Sequence, residues 1–224
     1  MSIKSKVLAV AATMTMVGGV STVGLLPAQA ATPPCGDSCV TAFSQEYGAP
    51  FVLDVLRQGE KIGQPIILFR TSNGDPAEDF TFFDEGTVDE FYTAGLVSGA
   101  LTANYGGDEA FELEYSPYGV DSGLCAGVGS TAGDGTPVAL EPCGASSKTV
   151  WVVDTQDIAS PTYYPWINGS DTNFSDPFVL HYPSSGYPTD IPHPQLSTYT
   201  LQEYSGNTVY NNEMWGQHGD GTLS

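Results

Sequence analysis

The chain has 224 residues, with six Lys and Arg against 26 Asp and Glu, a formal net charge of −20, and a content that is 41% hydrophobic and 11% aromatic. A chain of that length can bury one good core and does not require two domains. Its charge repels nucleic acid and anionic lipid and excludes both as partners, while otherwise signalling only solubility outside a cell.

Lys4 and Lys6 precede an apolar run from Val7 to Leu26, and Ala28-Gln29-Ala30 follows in an A-x-A cleavage pattern. Residues 1–30 therefore read as a secretory signal peptide. The run is almost long enough to anchor in a bilayer, but its Thr, Ser and Gly content and the small residues at its end favour cleavage. Cleavage predicts an extracellular mature chain of residues 31–224, without a membrane anchor, that keeps four of the six basic residues and all 26 acidic ones.

Cys35 and Cys39 come next, in CGDSC, and Cys125 and Cys143 lie further on. In an exported chain they predict disulfides, with three pairings formally possible and local pairing, Cys35 with Cys39 and Cys125 with Cys143, the most economical. The second loop is worth about 3 kcal/mol in the chain-entropy model. The spacings fit no zinc pattern.

The runs FVLDVL, PIILF, FTFF, FELEY, TPVAL, TVWVV, PFVLHY and STYTL, separated by Gly and Pro, predict short strands of a sandwich or barrel. Only Glu90 to Gly106 carries helical spacing, weakened by Gly95 and Gly99. The acids are densest from Asp75 to Glu90, with no basic residue among them. Calcium would suit such carboxylates, but no D-x-[DN]-x-[DN]-G loop occurs, so a solvated loop is the preferred reading and neither metal nor cofactor is expected.

One pattern recurs. Phe51–Val55 leads through a turn to Gly63–Phe69 and then Phe80. Leu124–Val128 leads to Thr136–Leu140 and then Trp151, and Pro177–Tyr182 leads to Pro194-Gln195-Leu196 and then Trp215. Three copies of strand, turn, strand, loop, aromatic are a sequence trace of pseudo-threefold symmetry. The pattern resembles the ricin-B-type β-trefoil family, whose repeats carry an LDV-like strand, a G-x-P-V-x-L-W-like strand and a closing Q-x-W. The middle copy, LCAGV, GTPVALEPC and TVW, is the most similar, including its cysteine pair. The spacing between copies is uneven, so insertions are expected, one of them from Phe91 to Tyr118. GVDSGLC, INGSDTNFS and EMWG are also similar to secreted actinobacterial proteins, a likeness that implies no function. The resemblance implies an all-β fold, a β-trefoil or pseudo-threefold barrel with a hairpin cap, in one domain of residues 31–224 with approximate repeats 31–90, 91–157 and 158–224.

In that family a sugar is held by the Asp of the first strand, an aromatic residue at the end of the second, and an Asn-Gln pair before the closing Trp. Carried over, the first copy keeps Asp54 and Phe69 and offers Glu78 at the Gln position, with Ala77 at the Asn position. The middle copy has Gly127, Lys148 and Thr149 there and reads as structural only. The third has His181, Asn212 and Glu213. Each residue also has a structural reading: Asp54 satisfying backbone donors at a strand end, Phe69, Phe80, Trp151 and Trp215 as core, and His181 as a packed strand histidine.

Catalytic motifs are sparse. Gly36-Asp37-Ser38 and Asp121-Ser122-Gly123 echo protease sites, but Cys39 follows the first and the second has no partner D-[ST]-G. Asn168-Gly169-Ser170 and Asn173-Phe174-Ser175 are glycosylation sequons. The leading expectation is a secreted carbohydrate-binding module that meets an extracellular glycan or polysaccharide. The alternatives are a trefoil that meets a protein partner, as an inhibitor or interaction module, and a glycan-acting hydrolase using a carboxylate pair.

Overall fold

The computed structural model of the chain describes residues 39–48, 50–72, 74–156, 162–183, 193–204 and 208–219. The expected signal peptide and the Gly36-Asp37-Ser38 fragment lie outside the described residues. Cys39 is disulfide-bonded, and its expected pairing with Cys35 also lies outside them.

The strands are β1 (Cys39–Ser44), β2 (Phe51–Val55), β3 (Ile66–Arg70), β4 (Phe80–Thr87), β5 (Glu109–Tyr115), β6 (Leu124–Val128), β7 (Thr136–Pro142), β8 (Trp151–Val153), β9 (Trp166–Asn168), β10 (Phe178–His181), β11 (Ser197–Thr200), β12 (Glu203–Tyr204), β13 (Thr208–Val209) and β14 (Trp215–Gly219). Each apolar run picked out in the sequence falls on one of them. β1, β9, β12, β13 and β14 fall outside those runs.

Six of the described strands close on themselves. Antiparallel pairing runs from β1 to β4, β4 to β5, β5 to β8 and β8 to β9. Reciprocal backbone hydrogen bonds of 3.0 and 2.9 Å between Tyr164, just before β9, and Trp215 join β14, which pairs back to β1. Closure leaves the barrel no free edge. Three hairpins, β2–β3, β6–β7 and β10–β11, cap one end. They meet where the Leu196 N–H donates to Ile66 O at 2.9 Å, Val138 N–H to Leu196 O at 2.8 Å and Leu140 N–H to Gln64 O at 2.9 Å. A six-stranded barrel capped by three interlocked hairpins is a β-trefoil.

Large aromatics fill the barrel, because the hydrophobic effect scales with the area they bury. Phe80, Phe111, Trp151, Trp166 and Trp215 are all buried there. Trp151 Nε1 donates to Ala126 O at 2.9 Å and Trp215 Nε1 to Leu180 O at 2.8 Å. Each ring therefore ties a barrel strand to the hairpin of its own repeat. Phe80 takes the same place in the first repeat without a donor.

The segment expected as one helix over 90–106 forms two, α1 (Val88–Thr93) and α2 (Gly99–Tyr105). Thr87 and Glu90 make a capping box for α1, and Ser98 caps α2. Gly95, at φ 79°, turns the chain between them, in a region that favours glycine. Val88, Phe91, Leu101 and Tyr105 then bury a second apolar cluster against Val150, Val152, Ile167 and Val179 on the outside of the barrel. The Cys125–Cys143 cystine joins β6 to the residue after β7.

Candidate functional site

Strand register places equivalent residues on the three hairpins. Asp54 stands opposite Ile67, Gly127 opposite Ala139 and His181 opposite Ser197. Two steps along, Phe69, Glu141 and Tyr199 stand opposite Val52, Cys125 and Val179. Side chains two apart share a face of a strand, so each hairpin offers one diagonal pair: Asp54 with Phe69, Gly127 with Glu141, and His181 with Tyr199.

The first pair opens onto a cleft of about 460 Å³, lined by Asp54, Phe69, Asp75, Ala77, Arg57 and His193 among others. Phe69 is half-buried, edge-on to His193 with ring centroids 4.9 Å apart. Asp54 is 5% exposed. Among the described residues its carboxylate accepts no hydrogen bond, so the strand-end backbone role is not the one it plays. Burial first, then the charges of Asp75 and Glu78, push its pKa up to about 7. Asp75 takes Ala77 N–H at 3.0 Å and Gln58 Nε2 at 3.1 Å, while Glu78 takes Ser72 N–H at 2.8 Å and Thr71 Oγ1 at 2.7 Å. One oxygen of each of the three carboxylates lies within 4.8 Å of the others, a grouping able to hold a metal ion. Asp75, Arg57 and His193 carried no individual signal in the sequence, because they reach the cleft from separate loops.

On the middle hairpin the equivalent position has no room for the acidic side chain. A Cβ added to Gly127 would stand 2.7 Å from Lys148 O and 2.8 Å from Thr149 Cγ2, so no aspartate fits.

In the third repeat the equivalent residues do come together, but they engage each other. Asn212 Nδ2 lies 3.0 Å from His181 Nε2 and 3.1 Å from Tyr182 O. Both amide hydrogens are thereby used. Tyr199 covers His181 with ring centroids 5.0 Å apart. Burial pulls the His181 pKa down to about 4, leaving a neutral ring. Glu213 is fully buried, takes the Gln202 N–H at 2.8 Å, and has its pKa pushed up to about 7 by burial.

Glu213 and Glu78 perform one task in two repeats: each accepts the backbone N–H three residues beyond the hairpin aromatic, at Gln202 and Ser72. In the middle repeat Thr149 is too short to do so. Glu112 of β5 reaches across instead, accepting Gly144 N–H at 3.0 Å and the Thr149 hydroxyl. The sequence could not signal this substitution, since Glu112 comes from another strand.

The protease-like Asp121-Ser122-Gly123 is a turn before β6: Ser122 Oγ donates to Tyr115 O at 2.6 Å, and Ser116 donates to Asp121 at 3.4 Å. The sequon Asn168 is buried and donates to Lys148 O at 3.0 Å, which leaves no amide for a glycan to reach.

No protein-family model matches the chain, and no curated protein matches its sequence. Among solved structures it is similar to a designed threefold-symmetric protein, ThreeFoil, at 16% identity and a TM-score of 0.52, over 80% of this chain and 97% of that one. It is similar to an exo-β-1,3-galactanase from Clostridium thermocellum at 15% identity and a TM-score of 0.52, over 80% of this chain and 30% of that one. A mosquitocidal holotoxin matches at 11% identity and a TM-score of 0.50, over 81% of this chain and 17% of that one. The chain thus spans under a third of each of the latter two proteins. At such identities the likeness shows the fold alone.

Proposed function

We propose that the protein is a secreted, lectin-like β-trefoil that binds an extracellular glycan in the cleft of its first hairpin. The observation that supports this is the pairing of Asp54 and Phe69 in one cleft: a carboxylate with no hydrogen-bond partner among the described residues, beside a half-buried aromatic ring. Sugar recognition uses that combination, with the carboxylate accepting from adjacent hydroxyls and the ring covering the apolar face of the pyranose. The other two hairpins do not repeat that pair: at Gly127 there is no room for an aspartate, and at His181 the polar groups bond each other.

The reading is tested on a glycan array and by pull-down on insoluble polysaccharides, using wild type, Asp54→Ala, Phe69→Ala and His181→Ala. Asp54→Ala is expected to weaken binding roughly ten- to hundredfold, the size of one unmade charged hydrogen bond, and Phe69→Ala to weaken it by removing the ring that covers the sugar. His181→Ala should bind as wild type does. A wild type that binds no glycan, or an Asp54→Ala protein that binds equally well, would defeat the reading. Export is checked separately by N-terminal sequencing of protein recovered from the culture medium, which should begin at Ala31.

A further inference from the structure

Asp75 and Glu78 sit half-exposed on an acidic turn, and such a turn alone asks for no ligand. Asp54 changes its character. It comes from a different element, β2, is only 5% exposed, and faces the same cleft. No protein hydrogen bond reaches its carboxylate among the described residues. Its oxygens are not among the sealed polar atoms, so the cleft reaches them, and whatever satisfies this carboxylate enters from outside the chain.

The geometry states what that partner is. One oxygen from each of Asp54, Asp75 and Glu78 lies within 4.8 Å of the other two. A calcium ion holds its oxygens at roughly 2.3–2.6 Å, so donors on opposite sides of it stand roughly 4.6–5.2 Å apart. No two of these oxygens stand further apart than donors across one such ion, so the grouping is of a size to hold one. Gln58 and Ala77 use both lone pairs of Asp75 Oδ1, but Asp75 Oδ2, which Ser72 Oγ reaches at 3.3 Å, and the two Glu78 oxygens, which accept from Thr71 and Ser72, each keep one free; these bonds fix the carboxylates as outer partners of metal ligands do. Arg57 also lines the cleft, but it makes none of the hydrogen bonds to these carboxylates.

We propose that Asp54, Asp75 and Glu78 form a divalent-cation site of calcium type, with water completing the shell. Magnesium fits less well, because it demands a tight octahedron and gives up its water reluctantly. The proposal does not depend on glycan binding, and it is tested with the metal alone.

The full exported chain, stripped with a chelator, is titrated with calcium chloride by calorimetry and melted over a calcium series at constant ionic strength. Wild type should show one saturable site and a melting temperature that rises with calcium concentration. Asp54→Asn and Glu78→Gln should each weaken binding at least tenfold. Glu85→Gln, in the same acidic stretch but outside the cluster, should bind as wild type does. Two variants of the cluster are used so that misfolding of one leaves the other to decide. The proposal is overturned if no saturable binding appears by roughly 10 mM, above the range of extracellular calcium modules. It is also overturned if Glu85→Gln and Asp54→Asn respond alike, or if magnesium acts as well as calcium.

Discussion

The first and third hairpins correspond in register and differ in what their diagonal pair does. On the first, Asp54 and Phe69 face a cleft, and Asp54 bonds to none of the described residues. On the third, His181, Tyr199 and Asn212 hold one another and close the same place. Beneath both lies the same support: a buried closing aromatic, and a carboxylate that pins the loop after the second strand. The contrast separates two kinds of residue within one repeat. Those that hold the hairpin on the barrel recur in kind, and where one is missing another strand replaces it, as Glu112 does for Thr149. Those on the hairpin face differ in kind from one repeat to the next: Asp54 with Phe69, Gly127 with Glu141, His181 with Tyr199.

The largest expected effect tests the support. Trp151→Ala and Trp215→Ala should each destabilise by about 3–5 kcal/mol in chemical denaturation, since each empties a large volume of a closed barrel. Each also leaves a buried hairpin carbonyl unpaired, at Ala126 or Leu180. Phe80→Ala should cost less than either, because its ring makes no such bond. Equal losses at all three positions would mean that the indole hydrogen bonds contribute nothing to holding the hairpins.

A second experiment addresses the buried carboxylate of the third repeat by pH. The Glu213 pKa is raised to about 7 from its ordinary 4.5, so the folded state holds the proton more tightly. That contribution to stability is full below pH 4.5 and is lost as pH rises through about 7. Glu213→Gln removes the ionisation, and should therefore gain on wild type as pH rises across that window, by up to about 3 kcal/mol at its upper end. His181 runs the other way: with a pKa lowered from 6.5 to about 4, its contribution is full above 6.5 and is lost as pH falls toward 4. Thermal melts of Glu213→Gln and wild type from about pH 4 to 8, a range that brackets the shift, check the sign. A constant difference across the range would refute it.

How far the sequence disclosed this arrangement follows from which interactions are local. The β-trefoil could be read because its strands are short apolar runs, and because a large aromatic closes each copy at Phe80, Trp151 and Trp215. The helical segment was visible, with Gly95 and Gly99 marking its weakness, and Gly95 does turn the chain between two short helices. The acidic stretch from Asp75 to Glu90 looked uniform and is not. Glu90 caps a helix, while Asp75 and Glu78 gather at Asp54. Those fates are decided by a strand earlier in the chain, and no spacing within the stretch records them. Nor could the sequence tell that Asn212 spends its amide on His181, or that Glu213 is sealed from solvent.

Gly127→Asp carries the comparison into the middle repeat by installing there the side chain that the first repeat uses. Its Cβ would meet Lys148 O at 2.7 Å, a backbone atom that cannot swing aside. The expected cost is about 1–3 kcal/mol from overpacking, read as a lower denaturation midpoint with an unchanged slope. If the new aspartate is accommodated without loss, the middle hairpin lacks an aspartate there for some reason other than room.

At the position that matters most for binding the sign of the stability effect is the test. Asp54→Asn keeps the shape of the side chain and changes only its charge, and no hydrogen bond among the described residues depends on that charge. Measured in chelator and without glycan, so that no ligand contributes, the variant should be at least as stable as wild type, with a gain that grows as pH rises through about 7, where the wild-type carboxyl ionises in the fold. An aspartate that did hold backbone donors would instead lose about 1–3 kcal/mol on the same change. The sign matters as well as the size. Removing a negative charge beside Asp75 and Glu78 relieves repulsion, so a gain in stability identifies Asp54 as a residue kept at a cost to the fold, which the self-bonded His181 is not. A clear loss would return Asp54 to the supporting residues and remove the distinction between the two hairpins.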